Sequence, residues 1–409
     1  MHPDHRTRLR AVGALFTGVV LMTTAMVGAS AVATLVAADA LGSAWSGAPN
    51  AAGVLGTAVG ALGLAALMAR RGRRTGMLVG YLLAVLGGVL SSAAMLFTAL
   101  PALFGGMVLL GIGNGGAQLS RYAAAELHPP NRRGFVLGAM VWAGTVGAVI
   151  GPNLIAPSAT AAGAFHLPPL VGSYVVAMIA TLAAGLATVV IPHVTEPHRD
   201  PSDWRMAIGT LSRPTVKVAL AAMVAAHFTM VAVMTMTPLH IQLHNQGLHV
   251  VGTVLSAHML GMFVLAPLSG RLADRLGGLK VIFTGIGTLL AAALLAASAP
   301  VDDLQLPLAL FLLGYGWNMC FVGGSSVLSR DLPLAAQSEA QGFIDAIVWS
   351  TSALASLASG ALLALGGYFL VAVVGGMVAV LPLALVGTAV SRSHRRRFEA
   401  IGETPVVSP

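Results

Sequence analysis

The stretch "GRLADRLGGLK", Gly270–Lys280, sets Arg271, Asp274, Arg275 and Lys280 between two long apolar runs, 250–270 and 281–299. An apolar run of about 20 residues is long enough to cross the roughly 30 Å hydrocarbon core of a bilayer. The stretch therefore reads as a short polar loop joining two membrane-spanning helices. Outward from it the same alternation fills the chain. Twelve apolar runs lie at 12–38, 50–69, 75–98, 101–126, 134–157, 170–192, 215–239, 250–270, 281–299, 306–330, 342–364 and 367–390. Of the 409 residues 56% are hydrophobic and 9% charged, against about 25% charged in soluble domains. The longest gap, His193 to Pro214, leaves no room for a soluble domain.

The basic residues set the topology. All 22 Lys and Arg fall at a terminus or in or beside every second gap. They are Arg6, Arg8 and Arg10; Arg70, Arg71, Arg73 and Arg74; Arg121, Arg132 and Arg133; Arg199, Arg205, Arg213 and Lys217; Arg271, Arg275 and Lys280; Arg330; and Arg392, Arg395, Arg396 and Arg397. The alternate gaps hold none. By the positive-inside rule both termini are then cytoplasmic, in a multi-pass protein of the bacterial cytoplasmic (inner) membrane. The net charge of +8 is thus an orientation signal spread over short loops. The partner it implies is the lipid bilayer, and no nucleic acid is expected. "MHPDHRTRLR" has the basic start of a signal peptide, but the apolar run behind it is too long, so an uncleaved first helix is expected. Cys320 is the single cysteine, which excludes a disulfide within the chain.

The chain also repeats itself. "LSR" at 119–121 recurs at 328–330, "GF" at 134–135 recurs at 342–343, and "VW" at 141–142 recurs at 348–349. The offsets of 209, 208 and 207 place span four on span ten and span five on span eleven. The expected fold is all-α and membrane-integral, with two six-helix halves in the same orientation. The first half covers 1–192 and the second 215–391. A cytoplasmic loop, 193–214, joins them, and a cytoplasmic tail, 392–409, follows.

Two six-span halves of this kind resemble the major facilitator superfamily. "GRLADRLGGLK" is similar to that superfamily's cytoplasmic loop motif, with Gly270, Asp274, Arg275, Gly277 and Lys280 in place. The resemblance implies that Asp274 latches the inner gate by accepting hydrogen bonds from a helix N-terminus or pairing with Arg275. The first-half counterpart, "ALMARRGRRTG", has Ala69 where the acid belongs. Span five, "GAMVWAGTVGAVIGPNLIA", carries Gly138, Gly147, Gly151 and Pro152, which resemble a motif of drug–proton antiporters. Close helix packing explains the same glycines. "GIGNGG", Gly111–Gly116, matches a dinucleotide fingerprint, but it lies inside an apolar run with no strand before it.

Span seven stands out for its methionines and histidines. Met223, His227, Met230 and Met234 are spaced 4, 3 and 4 apart, on one helical face. In span eight, His258 and Met262 are again four apart. At about 1.5 Å per residue, Met230 and Met234 lie roughly 14 and 8 Å from the outer edge, His258 and Met262 roughly 12 and 18 Å. All four are therefore expected in one layer between adjacent helices. Thioethers with an imidazole and no carboxylate form a soft set suited to Cu(I). Methionine as a core gap filler gives the same spacing.

M-x-x-x-M in span seven followed by H-x-x-x-M in span eight resembles the CcoA-type (CalT family) copper importers. The resemblance implies metal-ligand roles for Met230, Met234, His258 and Met262. It also implies copper as transported substrate with no tightly bound cofactor, and supply of copper for assembly of cbb3-type cytochrome oxidase. Copper chaperones or a copper-exporting ATPase would act downstream. Secondary metal positions are expected at Met22 and Met26, at His227 and Met223, and at the outer histidines His240, His244 and His249. Met22 and Met26 precede Met230 and Met234 by 208 residues and are expected to face them across the path. Asp345 in span eleven is the candidate for proton coupling. The alternative is a drug or metabolite proton antiporter, which calls for an aromatic cavity with a buried acid. No enzyme constellation is present in the sequence.

Overall fold

A computed structural model describes residues 5–127, 133–189, 191, 213–299, 304–331 and 334–402. Side chains at 5–7, 69, 121–122, 125–126, 133–135, 137–138, 141, 329–331, 334–346 and 385–402 are not described. Every long element among the described residues is a helix, as backbone in a bilayer must satisfy its own hydrogen bonds. The helices are α1 (His5–Leu41), α2 (Ala48–Arg71), α3 (Arg73–Leu96), α4 (Leu100–Glu126), α5 (Arg133–Asn153, continued by Ile155–Ala164), α6 (Val171–Thr188), α7 (Pro214–Leu243), α8 (Leu248–Phe263, continued by Ala266–Leu276), α9 (Gly278–Ser298) and α10 (Gln305–Asp331). The last, Leu334–Gly402, breaks at Gly366 and Gly367 into α11 and α12.

Ten segments among the described residues are long and apolar enough to span a membrane. One of them, Ile347–Ala384, contains the break between α11 and α12, and α5 completes twelve. The expected spans therefore stand, with three refinements. α5 breaks beside Pro152, and α8 breaks ahead of Pro267, because proline removes a helical donor and clashes with the preceding turn. α12 runs on to Gly402, past the expected start of the tail at 392. The expected central loop, 193–214, lies outside the described residues apart from Arg213 and Pro214.

The internal repeat shows in the backbone. Gly72 between α2 and α3 and Gly277 between α8 and α9 both hold φ of 87°. That conformation is open only to glycine at low cost, which accounts for Gly277 in the loop motif. Asp274 and Arg275 are exposed, and Asp274 has no hydrogen bond or ion pair among the described residues. Among the described residues the expected latch is not formed.

The halves meet through α1 with α7, α2 with α11 and α5 with α8. The hydrogen bonds between them cluster at the end that carries no arginine. Asn50 Nδ2 donates to Ser356 Oγ (2.9 Å), Ser356 Oγ donates to the Gly47 carbonyl (2.9 Å), and Asn153 Nδ2 donates to Ser256 Oγ (2.6 Å). A side chain at Gly47 would collide with the Ser356 carbonyl. The molecule is thus closed at the arginine-free end.

Candidate functional site

α7 is buried along most of its length, including His227 and Met230. Its register against α10 is fixed where Trp317 Nε1–H donates to His227 Nδ1 at 2.9 Å. The two helices run in opposite directions. Seven residues toward the arginine-free end from His227 stands Met234, and seven from Trp317 stands Leu310, about 10 Å in each case. The Leu310 carbonyl accepts a hydrogen bond from His258 Nδ1 at 2.9 Å. Met234 and His258 are therefore level. Three residues from each anchor stand Met230 and Gly314, and a Cβ on Gly314 would lie 3.1 Å from Met262 Cγ. Met230 and Met262 are level too, one turn deeper.

The four residues thus occupy two adjacent levels, where distances to the edge put them in one layer. The reason is that α7 and α8 are not packed along their lengths. α10 lies against both and sets their register. Counting from the span ends could not reveal this, because it carries no information about α10.

His258 is fully buried. A carbonyl only accepts, so the Nδ1 facing Leu310 carries the proton and Nε2 carries a lone pair. Nε2 has no partner. An imidazole pinned through one nitrogen, with the other bare, is the posture of a metal-binding histidine. An unmade hydrogen bond on a buried polar atom costs about 1–3 kcal/mol, so the position calls for a ligand. Met230 and Met262 are buried and Met234 half-buried. Among the described residues no three of His, Cys, Asp and Glu gather into a metal site.

Several secondary positions are corrected. His227 accepts from Trp317 on Nδ1, so its Nε2–H is left to donate to Ser352 Oγ at 2.5 Å. Both nitrogens are occupied and His227 has none for a metal. Met223 packs against Gly324 of α10, in a core with Val216, Leu328 and Val348. Met22 and Met26 are buried, away from lipid. The Met26 methyl lies against Gly53 of α2 beside the methyl of Met107 of α4, so it packs within the first half and not toward α7. His249 folds over Gly247. The Asp345 side chain lies outside the described residues. Gly147 of α5 sits against the Val20 carbonyl and Thr24 of α1, which makes the antiporter-like glycine a packing seam.

One feature escaped the sequence. Trp317 stacks on Phe321 (centroids 5.1 Å apart), Phe263 meets Trp317 edge-on (6.4 Å), and His227 lies between Trp317 and Trp349 (5.9 and 6.2 Å). Trp349 also packs on Ala51 and Val54 of the other half. Aromatics are only 6% of the chain, but four of them gather from α8, α10 and α11. No single helix carries more than two, so no periodicity signals the cluster.

Near the arginine-free end, a cavity of about 300 Å³ is lined by His240, His244, Leu363, Gly366, Gly367 and Tyr368, among others. The His240 ring stacks on Tyr368 at 4.2 Å and 9°, and its centroid is 4.5 Å from that of His244.

A family model described as "Major Facilitator Superfamily" matches residues 11–248 and 218–408. The chain is 31% identical over 370 residues to the "uncharacterized MFS-type transporter YddS" of Bacillus subtilis (strain 168), covering 87% of this chain and 85% of the relative. It is 27% identical over 321 residues to the riboflavin transporter RfnT of Brucella anthropi, covering 77% and 79%. Among solved structures, a bacterial homolog of the human lysosomal transporter Spinster, inward-facing and unoccupied, superposes with a TM-score of 0.68 at 14% identity, over 95% of this chain and 96% of that one. An auto-inhibited POT family peptide transporter gives 0.68 at 13% identity, over 92% and 96%. Twelve helices in two packed halves, with this coverage in sequence and in fold, make the chain a member of the major facilitator superfamily of secondary transporters.

Proposed function

We propose that the chain imports copper across the bacterial cytoplasmic membrane by alternating access. The observation that carries this reading is His258, buried and pinned through Nδ1 to Leu310, with a bare Nε2 at the level of Met234 and one turn from Met230 and Met262. Thioethers and one neutral imidazole favour Cu(I), and a set without ligand charge releases its ion readily. With the arginine-rich loops cytoplasmic, the closed end is the outer one, which we read as an inward-facing state. Asp274 would then find its latch partner only when the inner end closes. The delivered copper serves cbb3-type oxidase assembly, by way of copper chaperones or an exporting ATPase, with Asp345 carrying coupling protons.

The aromatic cluster favours a second reading, transport or proton antiport of a flat aromatic drug or metabolite. A flavin is one such molecule, and a relative is named as a riboflavin transporter. Radioactive copper uptake into cells expressing the chain separates the two. Copper accumulation that excess riboflavin leaves unchanged is the expected result. Uptake equal to empty-vector cells, together with riboflavin accumulation, would replace the copper reading with the second.

A further inference from the structure

We propose that His240 and His244 form a binding site for Cu(II), or a similarly borderline divalent cation, at the arginine-free mouth. The site is separate from the His258 layer. Both residues lie on the last turns of α7, four apart, and both line the cavity of about 300 Å³ between α7, α9 and the start of α12. His244 Nδ1 faces the His240 carbonyl at 2.9 Å. The carbonyl only accepts, so Nδ1 holds the proton and His244 Nε2 is a lone pair. His240 Nε2 is also without a partner.

The ring separation is compatible with a shared ion. A metal–nitrogen bond is about 2.0–2.1 Å, and the ring centroid lies about 1.1 Å behind the nitrogen. Two imidazoles whose metal–nitrogen bonds meet at about 90° then have centroids roughly 4.5 Å apart. The observed separation is 4.5 Å.

The site is also held in place. Tyr368 backs the His240 ring along its face, and the Tyr368 hydroxyl bonds Thr237 Oγ1 at 2.9 Å, one turn below on the same helix. The break at Gly366 and Gly367 brings Tyr368 to this position. Two imidazoles, completed by water, suit a borderline cation better than a soft monovalent one. The two sites therefore differ in kind, nitrogen outside and thioether within. A supply of ion from the mouth to the inner layer rests on the copper-import reading; metal binding at the mouth does not.

The test is electron paramagnetic resonance of Cu(II) added to the purified, untagged full chain. His2→Gln, His5→Gln and His394→Gln in every sample remove the competing terminal imidazoles. One equivalent of Cu(II) should show equatorial nitrogen hyperfine structure. His244→Gln alone, at an exposed position that folding does not need, should weaken Cu(II) binding at least tenfold, and the double variant with His240→Gln should abolish the signal. The double variant Met230→Leu, Met234→Leu should keep it. An unchanged signal in the histidine double variant would overturn the proposal. A histidine-dependent signal in a chain that moves no copper would uphold the site and remove the transport reading.

Discussion

His258 holds the most consequential atom in the molecule. Its Nδ1 hydrogen bond to Leu310 sets the ring, and the bare Nε2 is what that ring offers. The Leu310 carbonyl belongs to a helix that does not depend on the imidazole. His258→Leu should therefore fold, and relief of an unpaired polar atom offsets part of any packing loss. We expect its copper uptake to fall by about tenfold or more, since about 1.4 kcal/mol of lost ligand binding already gives that factor. Normal expression with wild-type uptake would take His258 out of the site. His227 behaves in the opposite way. It joins α7, α10 and α11 through two hydrogen bonds, so His227→Ala should destabilise the protein by about 1–3 kcal/mol by leaving the Trp317 N–H unpaired. Thermal unfolding in detergent checks this, and an unchanged midpoint would contradict it. Sequence reading makes His258 a primary ligand and His227 a secondary one, without showing that His227 has no nitrogen to offer. The partners of each ring nitrogen, which come from other helices, decide the matter.

Helices carry the next level of specification. The twelve spans were legible because a bilayer imposes length and apolarity on each one separately. The register of α7 against α8 was not legible. It passes through α10, by way of Trp317, Leu310 and Gly314, and no spacing within α7 or α8 encodes it. The breaks in α5 and α8 follow prolines that lie inside apolar runs, where run length alone shows nothing. The glycines of α5 give an internal comparison. Gly147 touches the α1 backbone, whereas nothing lies within 4 Å of a Cβ placed on Gly144. Gly147→Ala should overpack the seam at a cost of about 1–3 kcal/mol. Gly144→Ala should be neutral or stabilising by about 0.5–1 kcal/mol, because alanine favours the helix. Equal thermal midpoints for the two variants would show that the seam does not depend on this contact.

At the scale of the whole molecule, closure at the arginine-free end is what alternating access requires of one of its two states. Asn50 of α2 and Ser356 of α11 hold the closed end, bonded at 2.9 Å. In a Cys320→Ser background, Asn50→Cys with Ser356→Cys should cross-link on mild oxidation, stop transport, and recover with reductant. No cross-link under conditions that label either cysteine alone would mean that this end does not close as described. Copper in transit on the α7 and α8 side chains is the central claim, and it is tested most directly in proteoliposomes holding the purified chain. Met230→Leu with Met234→Leu keeps apolar volume and removes both sulfurs, at a folding cost below about 1.5 kcal/mol for each change. Wild-type vesicles should accumulate radioactive copper over time, and the double variant, equally folded, should not exceed protein-free vesicles. Accumulation by the double variant at the wild-type rate would contradict the account.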